Sequence, residues 1–371
     1  MTAKSDTIRY GIIGSGMMGI EHIENIKAID GAVVSAIADP HEPSQTSALA
    51  AIGAQTGFDG GQVTVFDNHR ALLNSDSCDV VVVASPNMTH HEVLLDVVET
   101  EFPVLVEKPL CTTTAHCQEI IDAAAERTAI IWTGLEYRYM PPVARLLELV
   151  GTGATGSINM VAIREHRFPF LTKVGDWNRF SRNTGGTLVE KCCHFFDLMN
   201  VVTQAKPVSV MASGGQDVNH LDECYDGERS DILDNAYVIV NYDNGARAML
   251  DLCMFAEATF NQEEISVVGD KGKVEAFVPE NIVRVGERGK HNFGNVDVET
   301  IPTPPTSEIG YLGHHHGSSF VEHLRFLEAV RSGGEPEISL HDGMLSVAIG
   351  EAAHVSIDQA RQVALSEVLP G

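Results

Sequence analysis

Three groups of residues have the types and spacing to do chemistry. The first is Gly14-Ser15-Gly16-Met17-Met18-Gly19, directly after the apolar run 8–13. In such a GxGxxG the first glycine permits a tight turn, the second admits a pyrophosphate, and the third lets a helix pack closely. The helix that begins there offers unpaired N–H groups and the positive end of its dipole to phosphates. Asp39 follows Gly19 by 20 residues at the end of the next apolar run, where a carboxylate would accept hydrogen bonds from ribose hydroxyls. The second group is Glu107-Lys108-Pro109, where charge interrupts the apolar run 104–106. The third is Glu190 and His194, spaced i, i+4, so that on a helix they share one face. An imidazole, with its ordinary pKa of about 6.5, can accept and return a proton near neutrality. Oxidising an alcohol needs a base for the hydroxyl proton and a cation for the developing alkoxide. His194 and Lys108 supply both types.

The elements around these residues read as two kinds of structure. Runs 8–13, 33–38, 79–84, 104–106 and 129–132 are rich in Val and Ile and read as buried strands. Helical segments 17–28, 43–52, 89–100 and 113–127 separate them, and the glycine-rich stretch 53–61 reads as a loop. This alternation predicts βαβ units and a doubly wound parallel sheet, which binds ligands at the carboxyl ends of its strands. Lys108 stands at such an end. The pattern changes near Tyr137. After a helix over 142–150 come strand-like runs at 158–164, 208–212, 236–241, 247–253, 264–268 and 273–277. Turn signals such as Asp243-Asn244-Gly245 separate some of them. One long helix is expected over 188–202, a rigid connector at 302–305, and two closing helices at 319–332 and 342–362. The fold class is therefore α/β: a Rossmann sheet over 1–136, then an α+β domain with a large, mostly antiparallel sheet over 137–371. The helix over 342–362 is placed to pack back on the first domain.

Four segments, in order, resemble the Gfo/Idh/MocA oxidoreductases (glucose–fructose oxidoreductase, inositol dehydrogenase, rhizopine catabolism). They are Ala84-Ser85-Pro86-Asn87-Met88-Thr89-His90, Glu107-Lys108-Pro109, Tyr137-Arg138-Tyr139-Met140-Pro141, and the stretch from Gly185-Gly186 through Glu190 and His194 to Asp197. The resemblance spans essentially the whole chain. It implies an NAD(P)-dependent dehydrogenase acting on a ring hydroxyl of a cyclitol or sugar. It places Pro86, Asn87, His90, Glu107 and Lys108 beside the cofactor together with residues 14–19 and Asp39, and it suggests a cis Lys108–Pro109 bond. His194 becomes the general acid/base, Lys108 the electrostatic stabiliser and proton partner, and Glu190 the clamp on a neighbouring substrate hydroxyl. Trp177 and Arg179 lie in a segment that borders the substrate in this family; ordinary packing is the competing reading for both. Arg164, His166, Arg167 and Arg138 are expected to add positive charge to the pocket, against a solvated edge for the first three. Glu190 stands where the family usually has Asp, and Cys192 where it has a small residue, so the clamped hydroxyl and the substrate stay open. The family also implies a homodimer or homotetramer. An NAD-dependent glycoside hydrolase and a catalytically silent NAD-binding regulator remain as alternatives.

Composition narrows the partners. The chain has 371 residues, with 25 Lys and Arg against 51 Asp and Glu, a net charge of −26. Such a surface repels phosphate backbones and anionic membranes, so neither nucleic acid nor membrane is expected as a partner. No apolar run approaches the ~20 residues of a membrane helix. Seven cysteines without a CxxC spacing point to a reducing cytoplasm, with Cys192 and Cys193 packed inside. Asp39 would repel a 2′-phosphate, which favours NAD; Arg70 could fold back and admit NADP. No metal is expected. Three consecutive histidines, His314 to His316, cannot all face one ion in a regular element, and their loop reads as a substrate edge or subunit contact.

Overall fold

The computed structural model describes residues 7–53, 62–302 and 309–370. Most of the expected loop at 53–61 and of the connector at 302–305 lies outside them. The first sheet has six strands: β1 (Ile8–Ile13), β2 (Ala32–Ala38), β3 (Thr64–Phe66), β4 (Val80–Val83), β5 (Val104–Glu107) and β6 (Ile131–Gly134). All are parallel, in the order β3-β2-β1-β4-β5-β6. Every residue of β2, β4, β5 and β6 is buried, as in a sheet covered on both faces. The covering helices are α1 (Met17–Lys27), α2 (Glu42–Ile52), α3 (His69–Leu73), α4 (His90–Val98) and α5 (Thr114–Ala123). The strand order reverses between β1 and β4, and a crevice opens there at the carboxyl ends.

Beyond β6, α6 (Pro141–Gly151) leads into β7 (Ile158–His166). Three helices follow: α7 (Ser181–Thr184), α8 (Thr187–Glu190) and α9 (Cys193–Thr203). Next come β8 (Pro207–Gly215), a ribbon of β9 (Cys224–Tyr225) with β10 (Glu228–Arg229), then β11 (Asn235–Tyr242), β12 (Arg247–Cys253), β13 (Glu263–Gly269), β14 (Gly272–Val278), β15 (Ile282–Glu287) and β16 (Asp297–Thr300). Helices α10 (Ser318–Ser332) and α11 (Leu340–Gln359) precede the last short strand, β17 (Val363–Ala364). The second sheet runs β16-β15-β14-β13-β7-β12-β11-β8-β17, antiparallel except for the β7–β12 pair. Its strands alternate: Ala236, Val238, Val240 and Tyr242 of β11 face the core, while Tyr237 and Ile239 are exposed on the other side. Met160, Met211 and Met249 are exposed on neighbouring strands.

The expected helix over 188–202 is two helices, interrupted at Lys191 and Cys192. The last helix starts at Leu340, where Ser339 and Asp342 form a reciprocal capping box. It packs against β8 and α9 on one side and α5 and β6 on the other. Serving both halves leaves it buried nearly all round, which explains its lack of a polar face.

Arg138 holds the same junction. Its guanidinium grips the Asp197 carboxylate with two bonds, 2.7 and 2.5 Å, and reaches Asp342 at 3.3 Å. Asp197 is buried, so losing the partner strands a charge at a cost of about 3–5 kcal/mol. We expect Arg138→Met to lower the thermal unfolding midpoint by several degrees, and Arg138→Met/Asp197→Leu to recover most of it. Differential scanning calorimetry of the three proteins checks this.

Candidate active site and cofactor cleft

The loop from β1 into α1 shows why its sequence is glycine-rich. Gly14 has φ +87°, and a Cβ there would sit 2.4 Å from the Ser85 nitrogen on the neighbouring β4 turn. A Cβ on Gly19 would sit 2.2 Å from the Gly14 carbonyl oxygen. Gly16 differs: nothing lies within 4 Å of its missing Cβ. Two glycines thus allow close packing and the third leaves the helix N-terminus open. Asp39 closes the far side. Its Oδ2 accepts from the backbone N–H of Ser15 at 2.7 Å and from the Ser15 hydroxyl at 3.1 Å, and its Oδ1 accepts from the His41 N–H at 2.8 Å. The carboxylate is thereby oriented before any ribose arrives. This donor set fits a dinucleotide: open N–H groups for the pyrophosphate and a fixed acceptor for the ribose.

A cleft of about 590 Å³ runs from these residues to the end of β5. Gly14, Gly16, Met17, Met18, Asp39, Pro86, Asn87, Glu107 and Lys108 line it, as do Trp177 and Glu190. Ser15 and Gly19, expected beside the cofactor, do not line it: Ser15 is buried with its N–H and hydroxyl on Asp39, and Gly19 packs against the Gly14 carbonyl. His90 is placed differently from expectation. It is fully buried, and its ring spans the Pro109 and Ser85 carbonyl oxygens at 2.8 and 2.9 Å, tying the two turns that line the cleft. Arg70 points away as well, paired with Glu92 at 2.8 Å and Asp96 at 2.9 Å. It therefore does not line the Asp39 end of the cleft. His69, Glu92 and Asp96 bring ligand-type atoms within 4.8 Å of one another, but Arg70 already occupies both carboxylates.

Lys108 stands at the inner end, after β5, and the Lys108–Pro109 bond is cis. Its Nζ donates to the Glu190 backbone carbonyl at 3.2 Å, beside the break between α8 and α9. Burial disfavours the ammonium, but Cys193, Glu107, Glu190 and Glu136 around it more than compensate, so its pKa lies above that of an ordinary lysine. Glu107 is fixed from below. His22 meets its Oε1 at 2.9 Å, His323 meets His22 at 2.9 Å, and Glu107 Oε2 accepts from the Lys108 N–H at 3.1 Å. Burial alone would raise this carboxyl; the His22 hydrogen bond and the charges of His22 and Lys108 bring it down to about 2.

Because the helix breaks, Glu190 and His194 do not share one face as the i, i+4 spacing suggests. Glu190 reaches the cleft wall. His194 lies one layer deeper, its ring stacked on Tyr137 at 3.9 Å and 7°. Its side chain is 1% exposed, and its Nε2 lies 3.8 Å from Glu136 Oε1. Burial and the charges of Lys108 and Lys191 hold its pKa well below the ordinary histidine value, which keeps the ring neutral. Glu190 is raised by burial against the pull of Lys108 and Lys173.

The expected substrate arginines are engaged elsewhere. Arg138 is the junction residue described above. Arg164 and His166 fall on the outer face of β7, because Val161, Ile163 and Glu165 take the inner one; they pair across strands with Glu264 at 2.5 Å and Asp251 at 3.2 Å. Arg179 is buried on Glu223 at 2.9 Å. The positive wall expected from these residues is supplied instead by Lys173, which lines the cleft with Trp177 and raised no sequence signal. Glu136 and His315 also surround the site, and His315 comes from the three-histidine loop. That loop is fastened to α1, where Glu21 Oε1 accepts from the His314 N–H at 3.1 Å.

Comparison with known proteins agrees with this geometry. Residues 8–135 match the family described as "Oxidoreductase family, NAD-binding Rossmann fold", and residues 147–365 its "C-terminal alpha/beta domain". The chain belongs to the Gfo/Idh/MocA oxidoreductases. It is 27% identical to the myo-inositol 2-dehydrogenase of Thermotoga maritima, over 98% of this chain and all of that one. It is 23% identical to the 2,7-anhydro-N-acetylneuraminate hydratase of Escherichia coli, over 98% of each. A levoglucosan dehydrogenase solved with NADH and levoglucosan superimposes with TM-score 0.81 over 97% of this chain and 99% of that one, at 19% identity. This member of the family is an NAD-binding oxidoreductase with a small-molecule substrate. No helix among the described residues is long and apolar enough to cross a membrane.

The acidic Asp39 end sets an expectation for the cofactor. NADH should bind at least tenfold tighter than NADPH, because a 2′-phosphate would meet the Asp39 carboxylate with no lysine or arginine lining that end of the cleft among the described residues. Asp39→Ala should weaken NADH and narrow that gap. Fluorescence titration of both nucleotides against both proteins decides it.

Proposed function

We propose that this dehydrogenase oxidises a ring hydroxyl of a cyclitol or sugar, or reduces the matching ketone. The observation that supports it best is the pairing of a charged Lys108 at the cleft's inner end with a neutral His194 behind it. Groups whose surroundings push their pKa values apart divide acid and base roles between them. The Lys108 ammonium would hold the substrate oxygen and stabilise it as it becomes an alkoxide. His194 would take the hydroxyl proton, and Glu190 would bind an adjacent hydroxyl. Trp177 gives the sugar an apolar wall, and Lys173 a second cation. Bound NAD supplies the hydride acceptor. Residues 1–136 would hold the cofactor and 137–371 the substrate, with Lys108 and Glu190 meeting across the boundary. An acidic chain with seven unpaired thiols suits a reducing cytoplasm.

Glu190 favours a second reading. A carboxyl raised by burial in the cleft can protonate a leaving group, as a reaction that oxidises transiently and then eliminates would need. That reaction forms product without net NADH.

An absorbance screen with NAD against cyclitols, aldoses, sugar acids and aryl glycosides separates these readings. Net NADH with a cyclitol or aldose supports the dehydrogenase; aglycone release without NADH supports the second; silence across the panel points to a regulator. For the substrate found, Lys108→Ala and His194→Ala should each lower kcat by about 10²–10⁴, with NADH affinity changed less than threefold. Because His194 is neutral well below its usual range, the acid limb of kcat/KM for oxidation should lie below pH 6.5. A limb above pH 7 would assign the base elsewhere.

We further propose that the outer sheet face is a contact between copies in a homodimer or homotetramer. Met160, Met211, Tyr237, Ile239 and Met249 leave it exposed and apolar. Tyr237→Glu/Ile239→Glu should shift sedimentation velocity toward the monomer; an unchanged profile rejects this face.

A further inference from the structure

The three-histidine loop and one buried carboxyl are left without a role by the reading above, and they meet at His194. Glu136 precedes Tyr137 in the turn after β6 and is buried, with its side chain 3% exposed. Its Oε1 lies 3.8 Å from His194 Nε2 and 3.6 Å from His315 Nδ1. Both gaps are about half an ångström beyond direct hydrogen-bond reach, a looseness common in active sites before substrate binds. Glu136 Oε2, His194 Nδ1 and His315 Nδ1 have no hydrogen-bond partner, although each is buried. Unpaired buried titratable groups in a row call for an explanation, and a role in moving protons is one. Exposure is graded along the row: the side chains of His194 and Glu136 are 1% and 3% exposed, and that of His315 is 19% exposed.

We propose that Glu136 and His315 form a proton exit from the active site, carrying the proton that His194 takes from the substrate hydroxyl to solvent at the three-histidine loop. The inference rests on His194 as the base. In the oxidation direction the substrate O–H bond breaks and an N–H bond forms on His194. Glu136 gives the proton on its Oε1 to His315 Nδ1, and His315 releases one proton from its other nitrogen to water. The emptied Oε1 then accepts the proton from His194 as the Nε2–H bond breaks, which restores the neutral carboxyl. One proton leaves for each alcohol oxidised, and each relay group is unchanged in charge.

The surroundings suit a carboxyl that carries a proton. Burial and the Glu107 charge raise Glu136 to about 8 against the pull of Lys108 and Lys191. Burial, with Lys191 and Lys108 nearby, lowers His315 to about 3, so it accepts only transiently and releases readily. The groups bearing on Glu136 are thus Glu107, Lys108, Lys191, His194 and His315, with the buried Glu322 facing it from α10. The loop is held for this task. Glu21 binds the His314 N–H, and Gly313 before it has φ +54°, a left-handed conformation that favours glycine in this turn.

Two measurements test the exit. The first needs no substrate. In the NADH-bound protein, histidine ring signals are titrated by NMR and assigned with His194→Asn and His315→Asn. Glu136→Gln should move the titration of both His194 and His315, and Glu136→Asp should partly restore it; a His315 signal indifferent to Glu136 overturns the proposal. The second uses the polyol or sugar found in the screen. Glu136→Gln and His315→Asn should each lower kcat at least tenfold, leave KM within threefold, and enlarge the solvent deuterium isotope effect. If His194→Ala is inactive while both relay variants keep wild-type kcat and isotope effect, the base reading stands and the exit falls. If His194→Ala keeps its activity, the base reading falls and the exit falls with it, whatever the NMR coupling shows.

Discussion

The bond from Lys108 Nζ to the Glu190 carbonyl is the contact on which the site depends. It crosses from the end of a parallel strand to a helix terminus in the other half of the chain. An ammonium cannot be left unpaired at such a depth without losing its proton or its place. Three buried carboxyl groups, Glu107, Glu136 and Glu190, surround it together with Cys193, and of the three it is the ionised Glu107 that pairs its charge. Each comes from a different element, so the charge of Lys108 requires β5, the turn after β6 and α8 to be in register. Helix α11 and the Arg138–Asp197 pair fix that register from outside, the first by packing against both sheets and the second by a bond between the turn after β6 and α9.

The break between α8 and α9 follows from the same need. A continuous helix would turn Glu190 and His194 to one face and commit the Glu190 carbonyl to the helix ladder. Interrupting it at Lys191 and Cys192 separates the two roles. Glu190 turns to the cleft, and its carbonyl is at hand for Lys108. His194 turns inward to stack on Tyr137. Lys191, in the break, donates to the Tyr137 hydroxyl at 2.7 Å and pairs with the buried Glu165 at 2.9 Å. The helix break thus anchors the ring on which His194 rests.

The parallel sheet was legible because its strands are buried on both faces, and runs such as 80–83 show this without ambiguity. The cofactor loop was legible because its glycines answer to backbone geometry, a local matter. What could not be read depends on partners distant in sequence. Arg138 looks like any free arginine until Asp197 arrives from 59 residues away. Arg164 and His166 could have been assigned by strand alternation, since Val161 and Ile163 mark the inner face. The charged Glu165 on that same face hid the pattern, and only its bond to Lys191 shows why burial is tolerated there. Glu136 carries no motif, and the value of His315 lies in a loop fastened by Glu21, 294 positions before it.

The net charge of −26 first served to exclude partners. The site gives it a second meaning. Long-range repulsion from an acidic surface should slow every anion, including a dinucleotide. Binding must therefore come from short-range groups: helix N–H donors at Gly16, and Lys173 and Lys108 along the cleft. Short-range contacts in a half-enclosed cleft are screened less by salt than a surface field. They also gather the cations along the cleft rather than spreading them over the surface. A cyclitol or sugar is neutral and loses nothing to the outer charge, so the same surface that discourages competing anions leaves the proposed substrates free to enter.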